Sequence, residues 1–351
     1  MRSALQELIN ELAKPLLKPK YRLYVSEEVI MPQNIELRRL PRPGRRWTFS
    51  AIDAASATLH VPAGEVTVVA GVLCGTRSTR IYPGFRIGRL SSEVPSLAAP
   101  IEGELDFVLN KYVKVGLKYV NDPDLPEGAL SNDLRIYVET YLLRQALKGR
   151  CVGEVLLVDG PTAYPLTHPL EGSVWNAELG GLNEDRVNAM RELVDAGVAP
   201  ICLVKRVWRS KHLVRAAGLG EGLTDVQAIL KLFRGALPSS PTLVGPWSVK
   251  AAGGVPERLM AYVIAPSAGA SAYAIFRVEV IREAAELLGS KLGEVLSQLA
   301  YSPVTYGTYV PYRLHVADRL SKEVASKNAS ALEALLRLNG VPLLYGGVKV
   351  E

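Results

Sequence analysis

The chain is 351 residues long, 48% of them hydrophobic and 22% charged, with a formal net charge of +6. Such a length and balance can bury a large core, as one elaborated domain or two intimate ones, and they exclude a disordered or low-complexity chain. The positive balance suits a polyanionic partner without requiring one.

Leu5, Leu8, Ile9, Leu12 and Leu16 recur at helical spacing and predict an amphipathic opening helix, stopped near Pro15 and Pro19. Its stripe suits packing on the main domain or a dimer arm. Residues 31–46, rich in Pro, Gly and Arg, read as a connector. Trp47–Asp53 and Glu65–Leu73 predict strands, and a third lies within Thr79–Leu90 after the turn Cys74-Gly75-Thr76-Arg77. Leu134, Val138, Leu142 and Ala146 give Asn132–Leu147 a helical period. Glu154–Asp159 is a compact apolar strand ending on an acid, Glu184–Ala196 is helical, and Ala199–Lys205 is another strand of buried type. Arg258–Ala265 and Ala272–Val280 read as a strand pair, Ile281–Leu299 and Arg313–Leu338 as helices. No internal repeat is visible. Three strands followed by β–α alternation predict a mixed α/β sheet with helices on its faces.

Cys74, Cys151 and Cys202 are far apart and odd in number, with no Cys-x-x-Cys pair. They support neither a disulfide framework nor a structural zinc site, and suit a reducing compartment. Glu7 and Glu11 interrupt the opening apolar stretch, unlike a signal peptide, and no run of about 18 apolar residues offers a membrane span. A cytoplasmic protein with no membrane partner is expected.

Two apolar stretches end on an acid, at Asp53 and at Asp159. An unpaired carboxylate is costly to bury, so an acid closing a core strand belongs where the sheet opens to solvent or metal, unless it is only a cap or turn former. Glu139 borders the apolar side of its helix; periodicity alone favours a solvated surface carboxylate. Asp133 reads as the N-terminal partner of that helix. His315 and Asp318, three apart on a late helix, face roughly the same way, although an acid in the opening turns also serves the helix itself. Carboxylates from several elements are what hard divalent cations need, and two-metal phosphodiester hydrolysis holds its ions about 4 Å apart.

Four segments in order, Ala51-Ile52-Asp53-Ala54-Ala55-Ser56, Leu156-Leu157-Val158-Asp159-Gly160-Pro161, Leu203-Val204-Lys205-Arg206 and Tyr309 to Asp318, resemble the NurA nuclease family over about residues 45–330. The resemblance implies a ribonuclease-H-like fold within residues 47–338, flanked by an N-terminal helix and connector at 1–46 and a tail at 339–351. It implies manganese- or magnesium-dependent cleavage of DNA, 5′–3′ exonucleolytic with single-strand endonuclease activity, in DNA end resection and double-strand break repair. A homodimer working with a hexameric HerA-type ATPase translocase follows from the same resemblance.

Residue by residue, Asp53, Glu139, Asp159 and Asp318 fall on the family's acidic positions as catalytic residues and metal ligands, with His315 a further candidate ligand. Lys205 fits the basic residue ending the next strand. The family usually has Gly where Ala54 stands, and its late motif often opens Tyr-Pro, where Tyr309 here precedes Val310. A track for DNA is expected from Arg77, Arg80, Arg86 and Arg89 and from Lys205, Arg206, Arg209, Lys211 and Arg215, with Trp208 and His212 available for stacking and Tyr309 a further DNA contact. Two other readings compete. An actin-like kinase or ATPase would need Gly-rich phosphate hairpins, and no Gly-x-x-x-x-Gly-Lys-Ser/Thr loop is present. A non-catalytic, DNA-bound adaptor of a motor ATPase would not need four acids.

Overall fold

The protein is described by a computed structural model over residues 34–62, 64–82, 85–86, 89–90, 97–99, 113–115, 128–148, 152–164, 174–208, 210–219, 222–234, 237–251, 255–266, 273–344 and 349–350. The expected opening helix with its leucine stripe, Cys151 and Arg209 lie outside the described residues.

The strands are β1 (Leu37–Arg39), β2 (Phe49–Val61), β3 (Gly64–Cys74), β4 (Thr79–Tyr82), β5 (Phe85–Arg86), β6 (Arg89–Leu90), β7 (Leu97–Ala99), β8 (Val113–Val115), β9 (Val155–Asp159), β10 (Ala199–Val204), β11 (Thr242–Val249), β12 (Arg258–Pro266), β13 (Tyr273–Ile281) and β14 (Lys349–Val350). The helices are α1 (Ala129–Lys148), α2 (Val174–Asp195), α3 (His212–Ala216), α4 (Asp225–Leu232), α5 (Arg282–Leu288), α6 (Leu292–Tyr306) and α7 (Tyr312–Leu338). A large mixed sheet flanked by helices results, as its alternating pattern predicts. The order is β1-β11-β12-β13-β10-β9-β2-β3-β7-β8, with β14 beside β2 and β4 beside β3. The expected third strand divides into β4 and the small β5–β6 pair. β1, inside the stretch read as a connector, adds an edge strand on β11.

Both faces at the centre are covered, which is why β2 is buried along almost its whole length. On one face α7 lies close because Ala325 and Ala329 meet Ala55, Ala57 and Ala70, with no bulk between helix and sheet. On the other face α1 packs on β3, where a Cβ at Gly71 would come within 2.6 Å of Val138. Gly71 pairs with Ala54, so Asp53, the next residue along β2, faces the α7 side.

Asp53 does not end a strand, because β2 runs on to Val61 in unbroken antiparallel register with β3. The parallel pairing with β9 is what stops, at Ile52 with Val158. β14 rejoins that side of β2 only at Ala57 and Thr58. The sheet is therefore split beside Asp53, and an acid in mid-strand gains the opening that a strand end would give it.

Candidate metal centre

Asp53 on β2, Asp159 at the end of β9 and Asp318 in the second turn of α7 meet at this split, with one ligand oxygen from each within 4.8 Å of the others. They line a cleft of about 240 Å³ together with Arg135, Lys205 and Lys322. Asp53 is held from α7 by the Ser321 hydroxyl, which donates to Oδ2 at 2.7 Å and to the Asp318 carbonyl at 3.0 Å. The other oxygen of Asp53, Oδ1, and Oδ1 of Asp159 are buried and accept no hydrogen bond. Buried acceptors are ordinarily satisfied, so this pair marks room for a cationic ligand.

Charge is crowded here. Burial, then repulsion from Asp159, holds the Asp53 carboxyl well above the usual range, against the pull of Lys205 and Arg135. Lys205, just past β10, lies 3.1 Å from Asp159 Oδ2 and also pairs with Asp318. Burial opposes its charge, but the three acids outweigh that and raise its pKa. Burial likewise opposes the Asp318 charge, and Lys205 with Lys322, the latter at 3.1 Å, brings its pKa below the ordinary value.

Glu139 stands outside the trio. It is fully buried on α1, under the opposite face of the sheet from Asp53. Arg186 of α2 donates to its Oε2 at 2.5 Å, and Arg135 lies 4.0 Å from Oε1. Burial raises its pKa, with both guanidiniums opposing. Arg186 also donates to the Asp159 carbonyl at 3.0 Å, so the Glu139–Arg186 pair anchors the end of β9. His315 is half-buried and also outside the trio. Three residues along a helix rise about 4.5 Å and leave about 60° between side-chain directions, so His315 shares the broad face of Asp318 but sits almost a turn before it.

No family model matches the sequence, and no curated protein matches it. Among solved structures, the chain is similar to the NurA nuclease from Sulfolobus solfataricus, with 14% identity over 96% of this chain and 91% of that one, at a TM-score of 0.48. It is similar to NurA with manganese, at 11% identity over 86% and 91% of the two chains, with a TM-score of 0.48. A NurA structure bound to dAMP and manganese gives 10% identity over 80% and 85%, with a TM-score of 0.45.

The expected basic track divides. Lys205 and exposed Arg206 line the acidic cleft. Exposed Lys211 precedes α3 and is not among the lining residues, nor are Arg77 in the β3–β4 turn and Arg80 on β4. Tyr309 and Trp208 are exposed; His212 is half-buried. Four contributors escaped the sequence reading: Arg135, Arg186, Ser321 and Lys322. Three carried a signal, since Arg135 lies one turn before Glu139, and Ser321 and Lys322 one turn after Asp318. Arg186, 27 residues beyond Asp159, carried none.

Proposed function

We propose that this chain is a metal-dependent deoxyribonuclease, and that Asp53, Asp159 and Asp318 hold its metal. The observation that carries this reading is the convergence of three carboxylates from separate elements on one cleft, two of them with buried, unsatisfied oxygens. A set of hard oxygen donors fits Mn²⁺ or Mg²⁺. An ion held there supplies Lewis-acid stabilisation to a phosphodiester undergoing hydrolysis. Lys205, Arg135 and Lys322 ring the same cleft and offset phosphate charge, and Lys205 with Lys322 holds the Asp318 carboxyl below its ordinary value against its burial. Ser321 orients Asp53, and Arg186 orients Asp159 through its carbonyl. Glu139 then acts as a positioning acid that holds Arg186 and Arg135, rather than as a direct ligand.

The strand order β10-β9-β2-β3-β4, with β2, β9 and β10 parallel and β3 antiparallel to them, supports a ribonuclease-H-like core inside a nuclease domain at 47–338. The finer activity follows the motif resemblance: 5′–3′ exonuclease and single-strand endonuclease action in end resection, by a homodimer driven by a HerA-type translocase. Lys205, Arg206, Lys211, Arg77, Arg80 and Tyr309 supply DNA contacts in this reading. Among the described residues no helix is long and apolar enough to cross a membrane. The test is degradation of linear DNA by the pure protein with Mn²⁺ and without nucleotide, which the proposal requires and a non-catalytic adaptor would fail. Light scattering tests the dimer, and ATP-dependent stimulation by the translocase tests the coupling.

A further inference from the structure

A second cleft, of about 840 Å³, lies between the start of β2, α6 and the start of α7. Arg45, Arg46 and Arg313 line it together with Tyr301, Tyr306 and Tyr312, and no carboxylate is among its lining residues. Tyr306 and Tyr312 are 54% and 42% exposed, yet their rings stack on each other at 4.6 Å with 28° between planes. Arg313 is fixed to the β3–β4 turn through the Gly75 carbonyl at 3.1 Å. Arg45 lies over the Trp47 ring at 4.4 Å and pairs with Glu154, while Arg46 is exposed.

This cleft shares a sheet face with the acids. Phe49 and Leu157, on its floor, are four residues from Asp53 and two from Asp159, and an even spacing on a strand keeps one face. At about 3.3 Å per residue the two centres are separated by roughly 7–13 Å. Stacked nucleotides at about 3.4 Å each would bridge that gap with some two to four residues of one strand.

We propose that this cleft is a binding site for single-stranded DNA, with bases resting on the Tyr306–Tyr312 stack and phosphates on Arg46 and Arg313. Its ingredients are what single-strand recognition requires, arginines with no carboxylate among the lining residues beside exposed ring faces. A duplex keeps its bases stacked inside and would use only the cationic wall. The choice of ligand rests on the nuclease reading, but the two fail separately, because binding is measured in chelator and cleavage only with metal.

The experiment is fluorescence anisotropy of the full chain, in EDTA, with labelled oligo(dT) of about 4–16 nucleotides. Wild type should gain affinity with length. A Tyr306→Ala/Tyr312→Ala variant and an Arg46→Ala variant should each lose about tenfold or more on the longer oligonucleotides. The duplex should suffer from Arg46→Ala and little from the tyrosine changes. Should the double tyrosine variant fail to fold by circular dichroism, Arg46→Ala and the single Tyr306→Ala carry the test. Wild-type affinity in folded variants would overturn the proposal, as would equal losses on duplex and single strand for the tyrosine changes. Displacement of the oligonucleotide by a synthetic peptide of residues 1–20 that needs the same tyrosines would assign the cleft to the chain's own N-terminal segment instead.

Discussion

Asp53 and Asp159 stand one register step beyond Ile52 and Val158, the last pair joined between the parallel strands β2 and β9. Neighbouring strands lie about 4.8 Å apart, so continued pairing would have set the two carboxylates side by side in the sheet interior. The strands part instead, and Lys205 occupies the space their repulsion demands be filled with positive charge. An acidic pair crowded in this way costs stability when apo and is repaid by a cation. Asp53→Ala should therefore leave the thermal midpoint unchanged or raise it, while adding Mn²⁺ should raise the midpoint of wild type and not of the variant. Differential scanning fluorimetry with and without Mn²⁺ checks both.

The Glu139–Arg186 pair should matter for stability more than for metal affinity. Glu139→Ala leaves Arg186 charged and fully buried, a loss on the order of 3–5 kcal/mol. Replacing both, as in Glu139→Gln/Arg186→Met, should recover much of it. Urea denaturation of the single and double variants gives the comparison, and a Glu139→Ala protein as stable as wild type would remove the anchoring role.

Asp318→Ala should cost more than about 100-fold in metal-dependent cleavage, beyond what loss of an outer partner costs. His315→Ala, one turn away and outside the acidic trio, should cost far less. Steady-state rates at saturating Mn²⁺ separate the two.

DNA binding should weaken with salt. Arg206 is exposed at the cleft, and Arg206→Ala should lower the slope of log affinity against log salt by about 0.7–0.9, independent of sequence. Titrations at several ionic strengths read this slope directly.

Acid should destabilise the protein in a defined window. Burial, aided by Arg277 and opposed by Glu279, lowers the His212 pKa from 6.5 to about 3. The unfolded chain therefore binds one more proton between about pH 3 and 6.5, and stability falls as pH drops through that range. The slope from one such group cannot exceed about 1.4 kcal/mol per pH unit. Glu279, held down to about 2 by Arg277 and Arg258 against its own burial, adds a loss that begins below its unfolded value of 4.5. Urea midpoints at pH 7 and 5.5 should thus differ in wild type and differ less in His212→Asn.

Much of this was legible in residue order. Apolar runs identified β3, β9, β10, β12 and β13, and the Asp-Gly ending of β9 drew attention to Asp159, which lines the cleft. Asp53 was read as a strand end and lies in mid-strand, because Ala54–Val61 is rich in small residues whose burial comes from α7, far along the chain. β1 was hidden among Pro and Arg residues, since an edge strand gains its order from β11 rather than from its own side chains. Period alone favoured a solvated surface carboxylate at Glu139, whereas it is fully buried. Its environment depends on Arg186, 47 residues away on another helix. Local patterning reports what one element wants; the partners across a sheet are decided by topology.

Whether Asp53, Asp159 and Asp318 hold a catalytic divalent ion is decided by incubating linear DNA with wild type and with folded Asp53→Ala, each with Mn²⁺ and with EDTA. Wild type with Mn²⁺ should degrade the DNA, and the other three conditions should leave it intact. Degradation by wild type in EDTA, or by Asp53→Ala at the wild-type rate, would contradict that metal role.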